Sequence, residues 1–204
     1  MPRRSRRTRV RASASSILDA VLPLLAREHD GASMRMAAGA AGTSVGALYL
    51  HFTSKEDLLR SAAVALMDRL STLLSEATTE PTARRAFDAA WVAAGELRRR
   101  VGPGTDSFLS RFGPRAPRSA RARLRAAFHA FQQRLAQELP RVDVVRIAAA
   151  FGVWLEAGEV DQPSARDLAW SLVSPPEETG LARRPAEAYF ADGRVRQRTD
   201  ESGD

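Results

Sequence analysis

The 204-residue chain has no cysteine, only one lysine and three histidines, and no apolar run of 18 residues. The absence of cysteine excludes disulfide bonds and thiol chemistry. Since no apolar run reaches 18 residues, we expect no membrane-spanning helix. The basic N-terminal stretch also lacks the apolar core of a secretory signal. These observations together predict a cytoplasmic protein without membrane contact.

Patterns typical of catalysis and metal binding are missing as well. His29, His51 and His129 lie far apart in the chain, without the H-x-x-x-H spacing that can hold a metal ion. The sequence has no phosphate-binding P-loop, no dinucleotide-binding glycine motif and no G-x-S-x-G motif. We therefore expect no enzyme, no cofactor and no metal site.

The net charge of +7 is unevenly distributed along the chain. Residues 1–60 carry a net charge of +5, whereas residues 174–204 carry −2. A localised basic end attracts a polyanion, most often nucleic acid. Residues 1–10 are predicted to be a disordered basic arm. The arm either contacts a minor groove and its phosphates or remains a solvated tail; the arginines concerned are Arg3, Arg4, Arg6 and Arg7.

Residues 33–55 are predicted to form two short helices joined by a tight turn, followed by another helix. Gly42 stands where the first helix should stop, and Ser44 follows as an N-cap. Leu48 and Phe52 are four apart and are expected to face inward together. A helix-turn-helix of this kind presents its second helix to the major groove of DNA.

The run GTSVGALYLHFTSKEDLL at residues 42–59 resembles the signature of the tetracycline-repressor (TetR) family of transcription regulators. In that family an aromatic residue ends the recognition helix, a His-Phe or similar pair follows, and Ser-Lys-Glu opens the fourth helix. The residues that match in order are Tyr49, His51, Phe52, Ser54, Lys55 and Leu58. The resemblance covers about the first third of the chain.

The candidate DNA-binding residues are Ser44, Val45, Gly46, Ala47, Tyr49, His51 and Lys55. Of the four small residues, only Ser44 has a polar side chain, so base readout is expected to be thin and phosphate contacts to supply most of the affinity. The resemblance implies that Lys55, the only lysine, contacts phosphate. Tyr49 is expected either to reach a phosphate or to lie in the core, and His51 either to donate to the backbone or to remain a surface residue.

Apolar residues recur at helical spacing to residue 173, and no strand pattern appears. The predicted fold is all-α with about nine helices. Residues 11–70 would form a three-helix DNA-binding domain with the start of a linking helix, 71–173 a helical ligand-binding and dimerisation domain, and 174–204 a mostly disordered tail. The resemblance implies a homodimer whose last two long helices form a four-helix bundle between subunits, bound to a palindromic operator in double-stranded DNA.

The ends and bends of several helices can also be predicted. Ser13 or Ser15 should cap the first helix, and Ser54 the fourth. Pro23 should kink the first helix or alter the angle of the arm, and Pro81 should open the fifth.

Buried and solvated helix faces are predicted from spacing. Met34, Met36 and Leu48 are expected to supply most of the core around the second helix. The stripe formed by Arg118, Arg121 and Arg125 is predicted to be a solvated helix face, with contact to a second polyanion as the alternative. The residues expected on one face of the fifth helix are Phe87, Trp91, Ala94, Leu97 and Val101.

The resemblance also implies that a small molecule, unidentified from the sequence, binds among the central helices, swings the fourth helix and releases DNA. The aromatic candidates for the pocket, each of which could instead be core, are Trp91, Phe108, Phe112, Phe128 and Phe131. Because few charges interrupt the apolar stripes, a largely apolar ligand is expected. The functional prediction is a repressor. The alternative is a helical ligand- or partner-binding module whose basic arm touches RNA or acidic surfaces.

Overall fold

The computed structural model describes residues 13–139, 146, 147, 150 and 162–174. Within these residues the protein is all-helical, with eight α-helices and two short 3-10 helices. This architecture confirms the predicted fold class. The predicted arm at residues 1–10 and all but the first residue of the predicted tail lie outside the described residues.

The α-helices fall into two groups of four along the chain. The first four are α1 (Ala14–Glu28), α2 (Met34–Ala40), α3 (Val45–Tyr49) and α4 (Lys55–Ala77). The other four are α5 (Ala83–Val101), α6 (Thr105–Phe112), α7 (Arg118–Ala136) and α8 (Gln162–Val173). Short 3-10 helices at His29–Gly31 and Gly113–Arg115 follow α1 and α6. Across the described ranges, no helix combines the length and apolarity needed to cross a bilayer.

The first five α-helices each begin after a hydroxyl side chain that accepts a backbone N–H three residues later. These N-caps are Ser13, Ser33, Ser44, Ser54 and Thr82. The predicted caps at Ser13, Ser44 and Ser54 are therefore confirmed. Helix α5 begins at Ala83, directly after Thr82, so the expectation that Pro81 opens it was wrong.

Helix α1 continues through Pro23 from Ala14 to Glu28. Proline lacks the N–H that would bond to the carbonyl four residues earlier. Pro23 is exposed while Leu22 and Leu24 on either side are buried. The missing hydrogen bond therefore falls on the solvent side, where water can satisfy the free carbonyl.

A first apolar cluster joins the N-terminal helices to α5 and α6. It contains buried side chains from α1 through the first half of α4, together with Leu97 and Val101 of α5 and Phe108 and Phe112 of α6. The helix-turn-helix segment therefore shares one core with the two helices that follow α4. We call this cluster the proximal core.

A second apolar cluster lies among the end of α4, α5, α7 and α8, and we call it the distal core. Helix α4 packs most extensively against α7, and α8 packs on α5. At the second contact the Phe87 and Trp170 ring centroids are 5.3 Å apart. The Arg84 guanidinium lies 5.1 Å from the centroid of the Trp170 ring. These contacts place α8 against the first half of α5.

One predicted core position beside α2 was wrong. Met36 is 41% exposed, whereas Ala37 and Ala38 are almost completely buried. Met34 is partly buried against the proximal core, and Leu48 is fully buried as predicted. Small side chains let α2 approach α1 closely, so two alanines take the core positions of α2 and Met36 is turned towards solvent.

Candidate functional site

The turn between α2 and α3 is closed by backbone hydrogen bonds around a left-handed glycine. Gly42 has φ of 61°, a conformation that L residues with a side chain rarely adopt. The Thr43 N–H donates to the Ala38 carbonyl at 2.9 Å, and the Gly42 N–H donates to the Gly39 carbonyl at 3.1 Å. These bonds satisfy carbonyls at the end of α2 and fix the direction in which the chain enters α3.

Helix α3 has one buried side, and its other positions face outward. Leu48 is fully buried and Phe52 is 3% exposed, which confirms the predicted inward pair. Among the predicted DNA-contacting residues of this helix and its flanks, four are exposed and two are half-buried. The exposed ones are Ser44, Gly46, Tyr49 and His51, and the half-buried ones are Val45 and Ala47. Because Val45 also packs against the proximal core, only part of its side chain is available for contact with a base.

The outward surface of the helix-turn-helix includes two apolar side chains that the sequence interpretation did not assign to it. Leu50 is 74% exposed directly after α3, and Met36 is 41% exposed on α2. Tyr49, next to Leu50, is 50% exposed, so its ring is not a core residue. Spacing could have predicted the exposure of Leu50, because Leu50 lies two residues from the inward Leu48 and such positions do not share a helix face.

The start of α4 is held by a reciprocal set of hydrogen bonds. The Ser54 hydroxyl oxygen accepts from the Asp57 N–H at 3.0 Å, and the Asp57 carboxylate accepts from the Thr53 N–H at 2.9 Å. Arg60 donates to the same carboxylate at 3.0 Å. The hydrogen bond from the Thr53 backbone, followed by that from Arg60, lowers the pKa of Asp57 below its ordinary value. The link from α3 into α4 is thus rigidly capped.

Lys55, the first residue of α4, reaches the 3-10 helix that follows α1. Its Nζ donates to the backbone carbonyl of Asp30, and its side chain is half-buried. An ammonium group has three N–H donors, so two remain for other acceptors. The carboxylate of Asp30 is paired with Arg111 of α6. Lys55 is therefore connected through Asp30 to the body of the protein.

Helix α6 meets the end of α1 through close backbone packing. A Cβ atom added to Gly104, the residue before α6, would lie 1.9 Å from the carbonyl oxygen of Ala26. The His29 Nε2 and Ser107 Oγ atoms are 3.0 Å apart, and the His29 and Phe108 rings stack with centroids 6.4 Å apart. We call this contact, completed by the ion pair between Asp30 and α6, the α1–α6 seam. It leaves no room for a larger residue at position 104.

A cavity of about 450 Å³ lies between α4, α5 and α7 beside the start of α6. Most of its wall is apolar and includes Met67, Leu70, Leu73, Leu74, Leu124 and Phe128. Its charged lining residues are Asp106, Arg121 and Arg125. Volumes of this order are typical of sites for drug-sized ligands. The cavity is consequently a candidate for the predicted ligand pocket.

Only one of the five aromatic residues predicted to line a pocket borders this cavity, and that residue is Phe128. The other four pack against neighbouring helices: Phe108 and Phe112 lie in the proximal core, and Trp91 and Phe131 lie in the distal core.

The stripe of arginines on α7 differs from its predicted solvated state at one of its three positions. Arg118 is exposed, as expected for a solvated face. Arg125 is exposed too, although it borders the cavity, whereas Arg121 is half-buried in the cavity wall. The difference arises because α7 packs closely on α4, which covers the part of the stripe nearest the cavity.

Residues 17–62 match the sequence model of a family described as "Bacterial regulatory proteins, tetR family". The N-terminal part of the chain is therefore similar to the TetR family. The matched segment runs from α1 into α4 and contains the capped turn, α3 and Lys55. The resemblance carried by residues 42–59 is thereby confirmed. No curated protein has a sequence that matches this chain significantly.

Solved structures of transcriptional regulators, two of which are described as TetR family or TetR-like, share the fold of most of the chain. LfrR from Mycobacterium smegmatis, solved with proflavine, is 18% identical with a TM-score of 0.61, covering 84% of this chain and 98% of that one. PfmR from Thermus thermophilus is 18% identical with a TM-score of 0.55, covering 79% and 99%. FadR from Bacillus subtilis, solved with stearoyl-CoA, is 18% identical with a TM-score of 0.53, covering 79% and 98%. At these identities the likeness concerns the fold, which extends well beyond the matched TetR segment.

Proposed function

We propose that this protein is a homodimeric repressor of transcription that leaves a palindromic operator when a small molecule occupies its cavity. The match of residues 17–62 to the TetR family supports a DNA-binding regulator. The observation that carries the proposal is the exposed surface of α3, held by a capped turn on one side and by Lys55 at the start of α4 on the other.

The surface around α3 suits close approach to a duplex. Ser44, Gly46 and Ala47 are small, so the backbone of α3 can come near the floor of the major groove. The exposed Tyr49 hydroxyl and the remaining donors of Lys55 flank this helix and would bind phosphates on either side. Few polar side chains reach base edges, so phosphate contacts would supply most of the affinity.

The proposed dimer uses α8. Ala165, Ala169 and Val173 bury one side of this helix against the distal core, while Leu168 on another side is 57% exposed. A second subunit packing in a two-fold arrangement would cover Leu168. Most of residues 140–161, which precede α8, lie outside the described residues, so α8 alone supports this step. A two-fold dimer in turn requires a palindromic operator.

The proposed ligand response depends on α4, which begins at Lys55 and lines the cavity with Met67, Leu70 and Leu74. A ligand weakens DNA binding only if it prefers a conformation that binds DNA poorly. Filling the cavity against α4 would favour such a conformation. LfrR and FadR, which share this fold, were solved with proflavine and with stearoyl-CoA respectively, in support of a ligand site in this architecture.

The proposal is tested on the full-length protein with a palindromic duplex selected from a randomised pool. Binding should depend steeply on salt and exceed binding to RNA and to a scrambled duplex. Lys55→Ala should weaken binding about tenfold on every duplex and reduce the salt slope by about 1, because one phosphate contact is lost. The control is Arg85→Ala, which removes the same charge from an exposed position on α5.

Three results would contradict parts of this proposal. Equal binding by Lys55→Ala and Arg85→Ala would remove Lys55 from the interface. A preference for RNA over the selected duplex would favour the alternative binding module. A protein that remains monomeric at micromolar concentration, measured by sedimentation, would contradict the dimer.

A further inference from the structure

The charged end of the cavity contains two arginines that are one turn apart on α7. The half-buried Arg121 and the exposed Arg125 both line the cavity, and their i, i+4 spacing places them on one helix face. Like charges at this spacing repel each other. Arg121 also lies in the first turn of α7, where the helix dipole disfavours cations. Local helix energetics therefore do not explain why an arginine occupies the half-buried position 121.

Two other arginines of α7 have carboxylate partners, but Arg121 and Arg125 have none among the described residues. Arg123 pairs with Asp68 at 2.7 Å, and Arg134 pairs with Glu138 at 3.0 Å. The Nε atom of Arg121 is buried and has no hydrogen-bond partner within the described ranges. A buried donor without an acceptor costs free energy, and an acceptor that enters the cavity would remove that cost.

Asp106, the only acidic residue among the described ones that line the cavity, neutralises little of this charge. Burial raises the pKa of Asp106 above its ordinary value, so its negative charge is disfavoured there. The opposite charge that acts on it is that of Arg98 on α5. The charged lining of the cavity is thus net positive, because two arginines outnumber one carboxyl.

From this arrangement we infer that the cavity binds an amphipathic anion, with its acid group on Arg121 and its apolar body along Met67, Leu73 and Leu124. The inference names the ligand class of the site on which the proposed function depends. A guanidinium pairs best with a planar carboxylate or a phosphate oxygen pair, to which it donates two parallel hydrogen bonds. The leucines and the methionine provide the apolar contact surface that a hydrocarbon chain needs.

A cationic or a neutral ligand fits the same wall less well. A cation would lie beside Arg121 and Arg125 and would have only Asp106 as a partner. A neutral ligand without an acceptor at that end would fill the apolar part and leave the Nε of Arg121 unpaired. The sequence prediction of a largely apolar ligand is therefore refined: the body is apolar, and one end is acidic.

Three probes that share one chain length test the ligand class by calorimetry on the full-length protein. They are decanoate, decanol and decylamine, which differ in the head group and its charge. Decanoate should bind roughly tenfold or more tightly than decanol, since it gains a charge-assisted hydrogen bond in a buried site. Decylamine should bind more weakly than decanol.

Variants locate the head group and the chain separately. Arg121→Met should lower the affinity for decanoate to that for decanol and leave decanol binding unchanged. Arg118→Met, which removes the same charge from the exposed start of α7, should alter neither affinity. Leu73→Trp should weaken both probes, because the indole fills the part of the cavity that holds the chain.

The outcomes separate this inference from the proposed function. Equal affinity for decanoate and decanol, tighter binding of decylamine, or an equal effect of Arg121→Met on all probes would overturn the ligand class. The same protein is then tested on its selected duplex by fluorescence anisotropy, without any probe. Duplex binding without Arg121-dependent decanoate binding would refute the inference alone. Arg121-dependent decanoate binding by a protein that binds no duplex would refute the proposed function alone.

Discussion

The two apolar cores differ in how completely the polar groups around them are paired. Around the proximal core, Asp30 accepts from both Lys55 and Arg111, and His29 is hydrogen-bonded to Ser107. Around the distal core, buried polar atoms have no hydrogen-bond partner within the described ranges. These atoms are Asp88 Oδ1, Trp91 Nε1 and Arg166 Nε, with Arg121 Nε at the cavity.

This difference shows in which part of the protein the buried polar groups find their hydrogen-bond partners among the described residues. Buried polar groups in folded proteins are nearly always hydrogen-bonded, and each exception calls for a partner. The Asp88 and Arg166 atoms are 3.5 Å apart, which is an ion-pair distance without hydrogen-bond geometry. The polar groups around the proximal core are therefore paired within the described residues, whereas those around the distal core could still pair with a ligand, a second subunit or the undescribed residues of the chain.

The largest expected effect comes from opening the α1–α6 seam. Gly104→Ala places a Cβ atom within 1.9 Å of a backbone oxygen, so α1 and α6 must separate. We expect a loss of about 3 kcal/mol in the free energy of unfolding, as for other overpacked sites. Urea denaturation of the variant and the wild-type protein measures this loss.

The matched control for that change is Gly39→Ala in α2. No heavy atom lies within 4 Å of the added Cβ at Gly39. Alanine has a higher helix propensity than glycine, so the free energy of unfolding of this variant should rise by up to about 1 kcal/mol. If Gly104→Ala were as stable as the wild-type protein, the seam would not be the rigid contact that distinguishes the proximal core.

The proximal core was the part best predicted from the sequence, because local signals specify it. Gly42, Ser44 and Ser54 act within a few residues of their own position, and each was identified as a stop or a cap. Met36 was misassigned because it and Met34 lie two residues apart and do not share a helix face. The distance at which α1 and α2 cross decides which of the two methionines faces α1. The hydrophobicity of single residues does not specify this distance.

The distal half was predicted in outline only. Helical periodicity identified the buried face of α5 correctly. The cavity was not located, because its wall comes from helices that are distant in sequence. Arg121 shares its spacing with the exposed Arg118, and only the packing of α7 on α4 distinguishes the two environments. Most of the aromatic residues proposed for a pocket belong to the cores instead.

A smaller effect is expected at the cap that joins α3 to α4. Asp57→Asn removes a carboxylate that accepts from Thr53 and Arg60, at a cost of about 1 kcal/mol near neutral pH. Folding lowers the pKa of Asp57, so its contribution is present above the unfolded pKa and is lost as the pH falls through the folded value. The difference between wild type and variant should accordingly shrink below about pH 4.

The exposed neighbour Glu56 is the control for this titration. Glu56→Gln changes the same charge in the same helical turn, but without the bond to Thr53. Urea denaturation of both variants at several pH values provides the measurement. A wild-type advantage over Asp57→Asn that persists unchanged at the acid end would show that the cap does not depend on the charge of the carboxylate.

The smallest expected changes in the free energy of unfolding have opposite signs in the two regions. A matched pair of arginine-to-methionine substitutions compares them directly. Arg111→Met breaks the exposed ion pair to Asp30 at the seam and should cost less than about 1 kcal/mol. Arg121→Met replaces a half-buried guanidinium whose Nε lacks a partner among the described residues by an apolar side chain. It should be neutral or stabilise by up to about 1 kcal/mol. Thermal unfolding without added ligand shows whether each substitution stabilises or destabilises the protein.

Salt separates the two effects further, because they have different physical origins. Met67 and Leu124 surround the new methionine at position 121 with apolar contacts, so its gain should persist at high salt. The loss at the seam should shrink as salt screens the pair between Arg111 and Asp30. Destabilisation by Arg121→Met, equal to that by Arg111→Met, would mean that Arg121 is already satisfied in the free protein and would remove the distinction between the two cores.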